Sequence, residues 1–326
     1  MHGGHGTRLR PLTHTGPKQL LPIANKPMSQ YCLESLVSAG ISDIAIIIGG
    51  IGSNKVQEYY GNGEKFGAKI TYVNQDFPKG IAHAIQLCKE FVKNDKFVVF
   101  LGDNILKKDI TDYVSKFEQS DTSASILLCE VDNPTQFGIA DIKDGVIKKI
   151  MEKPKDPPTN LAVTGIYLLT PIIFDIIDRL KPSWRNEYEI TDALQMLLQE
   201  EYKITYDMVT DYWKDTGTPH DIIHANEVIL NNMKPYFNGI KENDVMMSGT
   251  IMVGEGTIIK NGSKVIGPVI IGKNCIIDSV SIGPNISVGD NSKLLKCNIE
   301  NSIIMSGCKI EGDFKMTARR LSERSS

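Results

Sequence analysis

The sequence predicts an α/β fold: a mixed, mostly parallel sheet with helices on both faces, followed by a short hexapeptide-repeat β-helix. Three observations carry this. Up to about Met233, short β-branched apolar runs alternate with stretches of helical period. Within them, "DIKDGVIKKI" sets an Asp-Gly pair between two runs, the signal of a hairpin. From about Asp244, Ile266, Ile271, Ile277, Ile282, Val288 and Leu294 recur every five or six residues, with Gly directly after four of them. That spacing marks a coil in which each turn stacks apolar residues on the last.

Taken in order, "KPMSQYCLESLVSAG" reads as a helix, with Pro27 at its start, Met28, Cys32, Leu33, Leu36 and Val37 on one face, and Gly40 at its end. "DIAIII" and "KITYVNQ" read as strands, "GIAHAIQLCKEF" as one helix, and "KFVVFLGD", "SASILLCEV" and "AVTGIYLLT" as further strands. "EITDALQMLLQE" repeats the helical period. The expected domains are 1–240, the α/β part, and 244–314, the coil. Residues 315–326, charged and Ser-rich, read as a disordered tail.

Of 326 residues 41% are hydrophobic and 23% charged, a globular composition able to bury a sizeable core. Net charge is 36 − 39 = −3, so no basic excess points to nucleic acid. The longest apolar runs are strand-length and too short to span a membrane, and the N-terminus goes straight into Gly, Arg and Pro, unlike a signal peptide. Six cysteines lie scattered without a CxxC pair or a zinc spacing. They read as small buried hydrophobes of a cytoplasmic protein.

The chain opens "MHGGHGTRLRPLT", a glycine-rich turn followed by cationic side chains. It is not a P-loop, since no Gly-Lys-Ser/Thr ending follows, and not a dinucleotide fingerprint, since Leu9 stands where a third glycine belongs. Backbone N–H groups of such a turn can wrap a phosphate oxygen, with Arg8 and Lys18 supplying charge. Pro11, Pro17, Pro22 and Pro27 stiffen the segment. Further on, "FVVFLGDN" presents Asp103 at a strand end, where open α/β sheets bind ligands. "WKDTG" offers a second carboxylate, Asp215, and "YVNQDFPKGIAHA" sets Gln75 at a strand end and Gly80 at a helix start.

The composite GGxGTRLxPLT…PKxLLPxxxKP resembles the signature of the sugar-phosphate nucleotidylyltransferases, and every letter of it is present. The resemblance runs on through "LGDN", "FGIADI", "EKPKDPPTNLAVTGIY", "WRNEYEITDAL" and "YWKDTGTPHD", covering roughly residues 3–312. With the coil, the chain is most similar to the long-form glucose-1-phosphate thymidylyltransferases. The resemblance implies a Rossmann-like domain, a left-handed β-helix and a homo-oligomer. It implies nucleotide contacts from Gly3, Gly4, Gly6, Thr7, Arg8, Gln75, Gly80 and Asp103. Sugar-phosphate contacts fall on Asn104, Gly138, Glu152, Lys153, Val163, Thr164 and Gly165. Asp103 and Asp215 are implied as ligands of Mg2+, and Arg8, Lys18 and Lys153 as the catalytic cations. Phe137 stands where many relatives carry Tyr, so no hydroxyl contact comes from there.

The chemistry so implied needs no protein nucleophile: a sugar 1-phosphate attacks the α-phosphorus of dTTP or UTP in line and expels pyrophosphate. The expected partners are these small molecules, with neither nucleic acid nor membrane. A uridylyltransferase and a non-catalytic regulatory homologue are the alternatives. Acyl transfer, the other common role of hexapeptide coils, is set aside because all six His lie at or before His224. In the resembling family the Gly-Gly loop follows a short apolar strand inside the sheet, and Met1 and His2 occupy its last two places. The expectation is a shortened or mis-started version of an active enzyme, less stable and with a mobile Gly3–Gly6 loop.

Overall fold

The computed structural model describes residues 9, 10, 12, 13, 16–312 and 315–317. The chain forms two compact units, Met1–Leu20 with Met28–Asp215, and Leu21–Pro27 with Thr216–Ser326.

The first strands belong to the second unit. β1 (Pro22–Ile23) and β2 (Lys26–Pro27) pair antiparallel, with Pro22 opposite Pro27. Ala24 and Asn25 between them have φ of 47° and 62°, the positive values a two-residue hairpin turn requires. The Ala24 N–H donates to Asn226 Oδ1 at 2.8 Å, and Asn25 Nδ2 donates to the Val288 carbonyl at 2.7 Å. Pro22 and Pro27, expected to stiffen a phosphate loop, are instead the outer pair of a hairpin built into the coil's own unit.

In the first unit α1 (Met28–Ser38) leads to β3 (Asp43–Ile48), α2 (Ser53–Tyr60), β4 (Lys69–Asn74), α3 (Ile81–Gln86), α4 (Lys89–Val92) and β5 (Phe97–Phe100). There follow β6 (Asn104–Leu106), α5 (Thr111–Glu118), β7 (Ala124–Glu130), β8 (Gly138–Lys143), β9 (Val146–Glu152), β10 (Leu161–Leu169), α6 (Ile172–Ile177), α7 (Ile190–Gln199), β11 (Ile204–Met208) and β12 (Trp213–Asp215). The expected helix over "GIAHAIQLCKEF" divides at Leu87–Cys88, where the Cys88 N–H reaches back three residues to the Ile85 carbonyl at 2.9 Å.

β3 and β4 pair in parallel. The larger sheet has the order β11-β7-β10-β8-β9, with β5 also on β10. It is mixed, as the sequence predicts, but the parallel share within it is small. β11 runs parallel to β7, whereas β10 is antiparallel to β5, β7 and β8, and β8 to β9. Parallel neighbours need a crossover of a dozen or more residues, usually a helix, and no α-helix lies between β7 and β10. β8 and β9 turn on Asp144 and Gly145, both at positive φ, the Asp-Gly hairpin expected.

The near-continuous apolar runs of β7 and β10 follow from burial on both faces. Ile126, Leu128, Tyr167 and Leu169 point into one core with Ile85 of α3, Phe174 of α6 and Leu194 of α7. The alternate residues Leu127, Ile166 and Leu168 point into another with Cys32 of α1 and Phe117 of α5. Helices therefore cover both faces. Each fully buried aliphatic or aromatic side chain stabilises the fold by about 1.5–3 kcal/mol.

In the second unit α8 (Pro219–Asn232) starts with a capping box: Thr218 Oγ1 accepts from the Asp221 N–H at 3.3 Å, and the Asp221 carboxylate accepts from the Thr218 N–H at 2.9 Å. The coil then runs in three parallel five-stranded faces. The first is Tyr236–Phe237, Ile251–Val253, Val269–Ile271, Ile286–Val288 and Ile303–Ile304. The inward ladder takes Val253, Ile259, Val265, Ile271, Ile277, Ile282, Val288, Leu294 and Ile299, each fully buried. Ile266, expected on it, is displaced by its neighbour Val265, which stacks on Ile282. The coil also starts earlier than the change at Asp244, and Lys315–Thr317, expected in the tail, pairs with Asn298–Glu300. Residues 318–326 lie outside the described residues.

Candidate active site

β5 ends at Phe100, and the chain turns through Leu101 and Gly102 to Asp103 and β6. The turn is pinned to β10, because the Leu101 N–H donates to the Gly165 carbonyl at 2.8 Å. Asn104, 3% exposed, braces the junction. Its Oδ1 accepts from Trp213 Nε1 at 2.7 Å and from the Gly165 N–H at 3.2 Å, and its Nδ2 donates to Asp103 Oδ1 at 3.0 Å. A Cβ on Gly165 would lie 2.6 Å from Asn104 Nδ2, so only glycine fits there.

Asp103 Oδ2 is ion-paired with Lys18 Nζ, and both side chains are largely buried. Burial pushes the Asp103 carboxyl up, but the Lys18 charge and the hydrogen bonds from Lys18 and Asn104 outweigh it. The net effect holds it below the usual carboxylate range. Asp215 faces Asn104 across the β6–β12 ladder, so of the two expected metal carboxylates Asp215 ends β12 and Asp103 immediately precedes its partner strand β6. Among the described residues no cluster of three or more His, Cys, Asp or Glu could hold a metal. Two hard carboxylate oxygens with phosphate completing the shell is nevertheless the set Mg2+ takes in nucleotide sites, so the residues fit that ion.

A second group forms where β8 and β9 pair. Gly138 lies opposite Glu152. Glu152 Oε2 accepts from Thr191 Oγ1 at 2.9 Å and Oε1 from Arg185 Nη1 at 3.3 Å, with Lys153 Nζ 3.7 Å from Oε1. A Cβ on Gly138 would lie 2.5 Å from Thr191 Cγ2, so glycine lets α7 close onto the strand. Lys153 has φ of +42°, a left-handed conformation that costs a non-glycine residue on the order of 1 kcal/mol and clusters at functional sites. Arg185 also reaches Glu189 Oε1 at 3.2 Å and Glu187 Oε1 at 3.3 Å. Burial, then the Glu152 charge, push the Glu189 carboxyl up.

A third group closes the ends of β3 and β4. The Gln75 N–H donates to the Ile48 carbonyl at 2.8 Å, and its Nε2 lies 3.0 Å from His83 Nδ1 and 3.4 Å from the Gly80 carbonyl. Burial, then Lys79, hold the His83 pKa below its ordinary value, so the ring is neutral at pH 7 with Nδ1 available as acceptor. Gly80 has φ of +103°, and a Cβ there would meet the Tyr188 carbonyl oxygen at 2.4 Å. Its place is set by the backbone of 183–189, which bonds back through Lys79 and Ala82 to Tyr188. Contacts thus lead from Gln75 through Gly80, Tyr188, Glu189 and Arg185 to Glu152.

Among the other expected site residues, Val163 and Thr164 lie where the β10–β7 register shifts. Thr164 is fully buried, and its hydroxyl has no hydrogen-bond partner among the described residues. Gly3, Gly4, Gly6, Thr7 and Arg8 lie outside the described residues. Sequence reasoning assigned no role to Arg185, Thr191, Trp213, His83 or Tyr188. All five sit in quoted stretches, and the alternation of Arg185, Glu187 and Glu189 was the signal that could have found the network around Glu152.

The model of the nucleotidyl transferase family matches residues 1–232. The chain belongs to the nucleotidyl transferase family. It is 47% identical over 312 residues to the low-salt glycan biosynthesis nucleotidyltransferase Agl11 of Haloferax volcanii, covering 95% of this chain and 87% of that one. With a glucose-1-phosphate thymidylyltransferase of Streptomyces antibioticus it shares 40% over 312 residues, at the same coverages. Among solved nucleotidyl transferase folds, a Bacillus anthracis structure assigned as a glucose-1-phosphate thymidylyltransferase, in complex with a sucrose, superposes with a TM-score of 0.66 at 42% identity. It covers 70% of this chain and 92% of that one. A UDP-glucose pyrophosphorylase with UDP-glucose bound gives 0.63 at 29%, covering 71% and 97%.

Proposed function

We propose that this nucleotidyltransferase transfers the thymidylyl group of dTTP to glucose 1-phosphate, releasing pyrophosphate and dTDP-glucose. The observation that carries the reading is the Lys18–Asp103–Asn104 junction with Asp215 on the paired strand. The thymidylyltransferase relatives point to the substrates.

On this reading Lys153 grips the sugar phosphate while Glu152, held by Thr191 and Arg185, accepts hydrogen bonds from sugar hydroxyls. The Gln75 amide reads the pyrimidine edge, and Arg8 and Lys18 offset charge on the triphosphate. An oxygen of the sugar phosphate bonds to the α-phosphorus as the bond to the β-phosphoryl oxygen breaks, and pyrophosphate leaves with the electron pair. No proton is abstracted from the attacking phosphate oxygen, so the protein's part is positioning and charge neutralisation. Mg2+, held by Asp103 and Asp215, would supply further neutralisation between the two anionic substrates. UTP is the second reading, since the two bases differ by one methyl group, worth only about 1–3 kcal/mol of discrimination.

A pyrophosphate-release assay over a panel of triphosphates and sugar 1-phosphates tests the proposal. Turnover should be highest with dTTP and glucose 1-phosphate and abolished by EDTA. Turnover with UTP alone supports the second reading, and none with any pair points to a binding homologue.

A further inference from the structure

Gln75 follows β4, is 4% exposed, and has its side-chain nitrogen held from two sides, by His83 Nδ1 at 3.0 Å and the Gly80 carbonyl at 3.4 Å. A backbone carbonyl only accepts, so the side-chain atom facing it is the donor, Nε2. His83 Nδ1, facing the same atom, is then the acceptor, and the imidazole carries its proton on Nε2. Burial, then Lys79, hold the ring neutral at pH 7 and so keep Nδ1 an acceptor. The other end of the amide, Gln75 Oε1, takes no hydrogen bond among the described residues.

His83 is itself placed by contacts that do not involve Gln75. It lies in the first turn of α3, and the start of that helix is tied to residue 188. The Ala82 N–H donates to the Tyr188 carbonyl at 3.0 Å, and the Tyr188 N–H to the Lys79 carbonyl at 2.8 Å. The two rings lie side by side, centroids 6.4 Å apart and planes inclined by 32°. We propose that His83 is a positioning residue that sets the base preference of the site: by accepting from Gln75 Nε2 it fixes the amide with Oε1 as the atom left for the ligand. This rests on the reading of Gln75 as the residue that faces the pyrimidine. An oxygen there accepts from the N3–H that thymine and uracil share. Cytosine carries a lone pair at N3, so two acceptors would meet with no proton between them, and such unpaired polar contacts are what reject a wrong ligand. The device admits dTTP and UTP alike and separates both from dCTP.

Calorimetry on the full chain tests this, with dTTP, UTP, dCTP and N3-methyl-dTTP as probes and His83→Leu, His83→Ala and His83→Gln as variants. The unaltered chain should bind dTTP and UTP about a hundredfold or more tighter than dCTP and N3-methyl-dTTP. His83→Leu lets the amide turn over and should narrow the dTTP-to-dCTP ratio about tenfold, and His83→Ala should do the same if the leucine variant does not fold. His83→Gln offers an acceptor oxygen and should keep the ratio. An unchanged ratio in the folded leucine or alanine variant overturns the proposal. So does N3-methyl-dTTP bound as tightly as dTTP, or a ratio lost equally in His83→Gln, which would leave the imidazole a packing role only. Selective binding with no turnover of any sugar phosphate would sink the transferase reading and leave this one standing, whereas turnover with an unchanged ratio would do the reverse.

Discussion

Glu152 accepts from Thr191 and from Arg185, and neither donor can be removed without freeing a carboxylate at the strand end. Hydrogen bonds to charged groups contribute about 1.5–3 kcal/mol. Arg185→Ala and Thr191→Val should therefore each raise the KM for sugar phosphate about tenfold or more, with little change in the KM for the triphosphate. Steady-state kinetics on both substrates checks the split. Asp103→Asn should lower turnover by two or more orders of magnitude, because a neutral oxygen replaces the charge a divalent ion needs. It should also change the acid limb of stability. The Asp103 carboxyl is held below its unfolded value, so its ion pair with Lys18 contributes fully above that value, about 3.9, and is lost as pH falls through the folded value. Tm measured from pH 5 to 2.5 should fall less steeply in the variant. Protonation of His83 removes the acceptor facing Gln75 Nε2, and because burial and Lys79 hold its pKa below the ordinary value, the KM for triphosphate should rise only at pH below the usual imidazole range and stay flat in His83→Gln. Lys153, Glu152 and Asp103 are legible in the sequence because motifs carry them. The supports Arg185, Thr191 and Tyr188 are less so, since their roles depend on a loop and a helix folding back onto strands distant in sequence.

At the scale of elements, long periodic segments were readable and short ones were not. β7 and β10 announce themselves as near-continuous apolar runs, and α7 as a helix with a clean apolar face. β1 and β2 hold two residues each, below any periodic signal, and their turn uses an alanine at positive φ that composition alone would not select. Val265 rather than Ile266 faces inward because the strand's pairing with Ser281–Ile282 fixes its phase, and a one-residue slip turns every side chain to the other face. Two element termini give direct tests. Thr218→Ala removes the cap of α8 and should cost about 1–2 kcal/mol, seen as a lowered denaturation midpoint. Gly80→Ala places a methyl group against the Tyr188 carbonyl at a φ that alanine disfavours. It should destabilise by about 1–3 kcal/mol and raise the triphosphate KM by moving the start of α3.

On the scale of the whole molecule, the chain passes between its two units at 20–21, 27–28 and 215–216. A cut at 244, the boundary the composition suggests, would remove Val288, to which Asn25 is bonded, and Met252 and Ile270, against which Ala24 packs. Such a truncation should therefore expose 21–27 to proteolysis and lower Tm, rather than leave an intact α/β part. Limited trypsinolysis at Lys26, where Pro27 blocks cleavage, is uninformative, so pepsin or thermolysin mapping is the better readout. Anyone building chimeras between relatives meets the same arrangement as a rule about joints. The exchangeable module is discontinuous, two stretches of chain travelling together, and a recombinant that inherits the C-terminal coil from one parent and residues 21–27 from the other sets the Ala24 amide against a foreign acceptor. Crossover libraries should accordingly show survival of joints near 215 only when 21–27 shares the coil's parentage, a linkage between distant positions that no inspection of the coil alone would anticipate.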